Sequence, residues 1–187
     1  MKRLNQFIAV LFTIFFMLLA TDLMAQVYEV KEGTAEFFAS TQIERYSGKT
    51  DDVSGFIDFD QGIIWFTVNV ENLDTGNSRR DRKMHEEYLE THTYPNAIFE
   101  GNIKNQPEEI GNEPHEISAV GILKIKGEEK EMTATGMISR EDGVLKLSTT
   151  LEFLLSDFGI SRPRVFLIRV RDEHSIEMEV VLKRAES

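Results

Sequence analysis

The chain contains no cysteine. That excludes disulfides, a thiol nucleophile and the lipid-bearing cysteine of a lipoprotein anchor. Stability must come from burial and hydrogen bonding. Positive charge is also in deficit, with 21 Lys and Arg against 32 Asp and Glu and a net charge of −11. An acidic surface argues against nucleic acid and against anionic membranes as partners. No Gly-rich phosphate loop, no dinucleotide fingerprint and no G-x-S-x-G elbow occurs. The four histidines, His85, His92, His115 and His174, lack zinc-ligand spacing. His85-Glu86 begins like a metalloprotease motif, but Leu89 stands where the second histidine is needed. All four are read as surface residues. No enzymatic activity, cofactor or metal is expected. After residue 25 no long apolar run or stop-transfer pattern follows.

What is present begins at the N-terminus. Lys2 and Arg3 precede an apolar run from Phe7 to Ala20 broken only by Thr13, then Leu23-Met24-Ala25. This is the order of a secretory signal peptide. The run of about 14 residues is shorter than the roughly 20 that a spanning helix needs. Cleavage is expected after Ala25. That leaves one domain, residues 26–187, without a transmembrane anchor. The expected location is periplasmic or secreted. Losing Lys2, Arg3 and Asp22 makes the charge one unit more negative.

Beyond residue 26 the apolar period is mostly two. Ile176, Met178, Val180 and Leu182 alternate with Glu177, Glu179, Val181 and Lys183. Phe166, Ile168 and Val170 alternate with Val165, Leu167, Arg169 and Arg171. Such spacing puts one strand face inside and the other in water. Further strands are expected at Phe56–Phe59, Ile63–Val70, Asn96–Asn102, Glu116–Ile125, Glu131–Arg140 and Val144–Leu151. The connectors Asp60-Gln61-Gly62, Lys126-Gly127-Glu128 and Glu141-Asp142-Gly143 carry hairpin signals. About eight strands without long helices between them predict an all-β antiparallel sandwich or barrel. One short helix is expected within residues 74–94. Asp74-Thr75-Gly76-Asn77-Ser78 offers its cap, Arg82/Glu86 and Lys83/Glu87 support it at i, i+4, and it ends before Tyr94-Pro95.

Several segments in order resemble YceI-like proteins. They are Gly55-Phe56-Ile57-Asp58-Phe59-Asp60, then Leu73-Asp74-Thr75-Gly76-Asn77-Ser78-Arg79-Arg80-Asp81 with Met84, Tyr94-Pro95 and Phe99. They continue with Gly121-Ile122-Leu123-Lys124-Ile125-Lys126-Gly127-Glu128-Glu129-Lys130 and Asp157-Phe158-Gly159-Ile160. The resemblance covers roughly residues 27–183. Met84, Glu100 and Lys124 depart from the family's usual Leu, Ser and Thr.

The resemblance implies an eight-stranded, extended, lipocalin-like barrel with an apolar tunnel. It also implies a long-chain isoprenoid or similar amphiphile as ligand. Candidates for the tunnel wall are Phe38, Phe56, Trp65, Phe66 and Phe99, and further along Phe153, Phe158, Phe166 and Ile168. Neighbours on a regular strand point to opposite faces, so Trp65 and Phe66 do not both face inward. Asn77, Arg80 and Asp81 are candidates for structuring the loop or holding a head group. The competing reading is a barrel filled with side chains that acts as an interaction or structural module of the cell envelope. A homodimer is left open. An enzyme acting on the bound lipid would need a nucleophile or acid–base pair that the sequence does not offer.

Overall fold

The computed structural model describes residues 26–165 and 168–185. Among the described residues eleven strands are formed: β1 Val27–Ser40, β2 Arg45–Thr50, β3 Val53–Asp58, β4 Ile63–Asn69, β5 Asn96–Ile103 and β6 His115–Ile125, then β7 Glu128–Glu141, β8 Val144–Leu154, β9 Arg164–Val165, β10 Ile168–Arg169 and β11 Glu173–Arg184. Nine of them form one sheet in the order β11-β8-β7-β6-β5-β4-β3-β1-β2, and β11 also pairs with β1. β2 lies opposite Ala35–Ser40 and β3 opposite Val27–Glu29, on the same edge of β1. They act as one strand interrupted at Asp51-Asp52. The result is a closed antiparallel barrel of eight strands. Closure pairs the strand edges except where β7 and β8 part.

Local chemistry sets the meander. The β6–β7 turn is Lys126-Gly127, with φ of 52° and 81°. The β7–β8 turn is Asp142-Gly143, with φ of 50° and 82°. Two successive positive φ values make the two-residue hairpin turn whose twist matches the flanking strands. A bulge between Val30 and Glu32 shifts the β1–β11 register and keeps inward residues inward on both sides of it.

The apolar parity of each strand forms the interior. Ile57, Ile138, Leu145 and Leu182 are 0% exposed and anchor one cluster with Tyr28, Phe59 and Ile117. A second cluster at the other end holds Leu123, Ile125, Leu155, Phe158 and Ile160. The β4–β5 connection roofs this second end. Its 3-10 turn Val70–Asn72, helix α1 Ser78–Lys83 and π turn Met84–Tyr88 insert Val70, Leu73 and Met84 into the cluster. The helix expected within residues 74–94 is therefore present and short. A 3-10 turn at Leu155–Phe158 closes the same end from the β8 side.

Of the strand expected through Phe166, Ile168 and Val170, the described residues do not join the barrel. β9 and β10 form a separate two-stranded hairpin. Arg164 pairs with Arg169 and Val165 with Ile168, so the alternation serves a small excursion. Among the described residues no helix is long and apolar enough to cross a membrane.

Candidate functional site

Where two strands part, a barrel wall is open to a ligand. β7 pairs with β8 only from Thr135↔Thr150 to Glu141↔Val144. Beyond that point β7 continues against β6 alone, and Leu151–Leu154 of β8 continue against β11 alone. The 3-10 turn after β8 bridges the break, with Lys130 Nζ 3.1 Å from Asp157 Oδ1. A surface concavity of about 790 Å³ lies here. Residues from both sides of the break line it, including the inward-facing Met132, Phe153 and His174.

Behind it, inside the barrel, is a separate cavity of about 90 Å³. Phe66, Phe99, Leu147, Leu151, Ile176 and Met178 contribute to its wall. The surroundings are almost wholly apolar, and such a space stays dry. It is smaller than the roughly 300–1,000 Å³ of ordinary ligand sites. The barrel is therefore packed at both ends and loosest in the middle.

An aromatic row leads from the concavity at the break to the roofed end. Phe153 meets Phe158 edge-on at 5.7 Å. The His174 ring lies tilted against Phe153 at 6.0 Å and stacked against Phe37 at 6.5 Å. Phe37 then meets Tyr46 edge-on at 6.4 Å, and the Arg80 guanidinium sits 4.0 Å above the Tyr46 ring. His174 is only 8% exposed. Its Nδ1 lies 3.2 Å from the Asp172 carbonyl, which can only accept, so Nδ1 carries the proton. Burial pulls the pKa of His174 below its ordinary 6.5, against the opposing pull of Asp172 and Glu173. The ring is therefore neutral at pH 7. Burial likewise raises the Tyr46 phenol above 10.0, with Arg80 acting in the opposite direction.

The predicted wall residues divide. Phe66, Phe99 and Phe153 face the interior, and Phe158 fills the roofed end at 0% exposure. Phe38, Phe56 and Trp65 do not line the interior. Strand parity turns them outward, because their neighbours Phe37, Ile57 and Phe66 take the inner positions. Phe56 and Trp65 stack on each other outside the barrel at 6.1 Å. Ile168 lies in the β9–β10 hairpin and belongs to neither interior cluster. Phe166 lies outside the described residues.

The three polar candidates gather at the roof. Asn77 Oδ1 accepts from Arg79 N and Arg80 N, both at 3.2 Å, and caps α1. Asp81 Oδ1 accepts from Thr75 N at 3.0 Å and from Thr75 Oγ1 at 2.6 Å. Arg80 pairs with Glu44 at 3.3 Å while covering Tyr46. The Asn77 and Asp81 contacts brace the connection internally, and Arg80 ties it to the barrel through Glu44 and Tyr46.

Sequence reasoning placed the histidines on the surface, and two need correction. His85 Nε2 donates to the Leu73 carbonyl at 3.0 Å, and its Nδ1 is buried without a partner among the described residues. His174 shares the inward parity of Ile176 and Met178, a signal that was present in the spacing His174-x-Ile176-x-Met178.

The barrel geometry is shared with solved structures. A polyisoprenoid-binding domain from Saccharophagus degradans, implicated in plant cell wall breakdown, superposes with a TM-score of 0.72 at 13% identity, over 86% of this chain and 99% of that one. BcnA of Burkholderia cenocepacia gives 0.66 at 20% identity, over 80% of this chain and 95% of that one. The YceI protein of Campylobacter jejuni gives 0.60 at 23% identity, over 78% and 88%. No curated protein matches the chain. Identities this low establish a common fold only. The sequence pattern carries the further step: residues 28–182 match the YceI-like domain, and the chain belongs to that family.

Proposed function

We propose that this protein binds a long apolar lipid, of the isoprenoid class, inside its barrel. The apolar cavity behind the β7–β8 break is the observation that carries this reading. A solved neighbour described as a polyisoprenoid-binding domain supports the ligand class. The physics needs no catalytic group. Burying apolar surface yields about 25 cal/mol per Å², so a long chain supplies ample gross driving force before the costs of association.

The cavity admits only a short segment of such a chain. Full binding requires the middle of the barrel to widen. The unpaired stretch of β7 is where this costs least, because no ladder bonds to β8 have to break there. Met132 and Met178, with flexible unbranched side chains, suit that adjustment. The segment at residues 1–25 supports export, and carriage or storage of lipid outside the cytoplasm fits a binder without catalytic groups.

The test is native mass spectrometry of detergent-free protein, before and after incubation with geranylgeraniol, with solvent extraction of any adduct. A one-to-one adduct is expected. Ala134→Leu, which adds bulk to the cavity wall, is expected to reduce adduct formation at least fivefold while the fold is kept. A protein that stays apo in every case would favour the competing interaction module, for which the packed barrel ends speak.

A further inference from the structure

Both ends of the barrel interior are apolar, and its inner wall carries few polar groups. His174 is one of them, and it stands beside the break in the wall. We infer that His174 sets the orientation and head-group class of the ligand: Nε2 accepts a hydrogen bond from the hydroxyl of an uncharged lipid alcohol, whose chain runs inward past Ile176 and Met178. This rests on the lipid-binding reading above.

Four observations carry it. His174, Ile176 and Met178 are successive inward residues of β11, and the last two line the cavity. A chain lying along that row would bring its head to His174. The proton of the neutral ring is committed to Asp172 at Nδ1, which leaves Nε2 as an acceptor. Nε2 has no protein partner among the described residues. Finally, His174 itself lines the concavity at the break. Phe37 and Phe153 hold the ring between them, so the acceptor is fixed before the ligand arrives.

The charge around the opening narrows the head group further. Glu131, Glu152, Glu173 and Glu177 line the concavity. Of its cations, Lys130 is held by Asp157, and Arg45 is the other. A diphosphate head would meet this acidic rim and find no donor on the neutral His174. A hydroxyl donates the proton that Nε2 lacks. The proposed specificity is therefore alcohol over ether, and alcohol over diphosphate.

A competition experiment tests this on the intact protein. Equimolar geranylgeraniol and geranylgeranyl methyl ether, which share one chain, are offered together and the bound ratio is read by native mass spectrometry. One buried hydrogen bond corresponds to a preference of about tenfold for the alcohol. His174→Phe keeps the stacking and removes the acceptor, and is expected to bring the ratio to about one. Geranylgeranyl diphosphate is expected to compete more weakly than the alcohol. Equal binding of alcohol and ether by the unsubstituted protein would overturn the assignment to His174 and leave lipid binding standing. Tighter binding of the diphosphate would also overturn it. Failure of all three to bind would overturn the lipid reading itself. The comparison in the unsubstituted protein decides the matter even if His174→Phe fails to fold.

Discussion

Gly136 faces the cavity with no side chain, and a Cβ there would stand 2.6 Å from the Ser148 carbonyl oxygen. A backbone atom in a ladder cannot easily yield. Gly136→Ala is therefore expected to destabilise the barrel by about 1–3 kcal/mol, read as a lower urea midpoint. Ala134, two residues away on the same face, lines the same cavity and suits the added bulk better. A second contrast comes from the phenylalanines. Phe158 has no exposed surface and packs edge-on against Phe153. Phe158→Ala should cost about 3–5 kcal/mol. Phe38→Ala, on the outer face, should cost less than half of that. Equal losses at the two positions would contradict the parity assigned to β1.

At the scale of the element, the connection that roofs the barrel depends on a few polar contacts. α1 is only six residues long and none of them is buried. A helix this short does not persist on propensity alone. Its cap at Asn77, the Asp81–Thr75 contacts and the Arg80–Tyr46 stack hold it in place. Asn77→Ala is expected to cost about 1 kcal/mol, whereas Asn77→Asp should retain most of the stability. Hydrogen exchange should show faster amide exchange in residues 78–88, with the β6–β7 hairpin unchanged. Exchange that rises throughout the barrel would mean that the connection folds cooperatively with it. The β7–β8 break is the other element of consequence, because ladder bonds present on one side of it are missing on the other.

For the molecule as a whole, a buried ring and a half-buried one bound the pH range of stability. His174 is held neutral, below its ordinary 6.5. Just under pH 6.5 the unfolded chain takes up a proton that the folded ring does not hold. Its contribution is thus complete above 6.5 and is lost as the pH falls toward the lowered folded value. Tyr46 behaves in the opposite sense, with its folded pKa above 10.0. There the folded state keeps a proton that the unfolded chain gives up, so stability declines as the pH rises past 10.0. Urea midpoints of the unsubstituted protein and His174→Phe, measured from pH 5 to pH 8, separate the histidine part. The difference between them should be constant above 6.5 and should change below it, at the expense of the unsubstituted protein. A difference independent of pH would show that the ring is not buried in its neutral form.

Much of the fold follows from the order of residues alone. Period-two alternation marked the last strand, and Lys126-Gly127 and Asp142-Gly143 marked two hairpins, because side-chain parity and positive φ are local properties. The short helix was legible in its cap for the same reason. Closure of the sheet by β11–β1, the union of β2 with β3 along one edge of β1, and the unpaired stretch between β7 and β8 depend on partners far apart in sequence. The alternation of Val165 to Arg171 looked like a barrel strand, yet a strand pattern states which faces differ and not what the strand pairs with. For the site, composition supplied the aromatic residues but not their direction. Trp65 and Phe66 had to differ, and only the register with β3 and β5 decided that Phe66 faces in. His174 entered the interior on the parity of β11, and its neighbours Phe37 and Phe153 come from strands that reach it only when the barrel closes. Local sequence determined the elements and their amphipathic faces, while closure alone decided which side was inside, since inside exists only once distant strands have met.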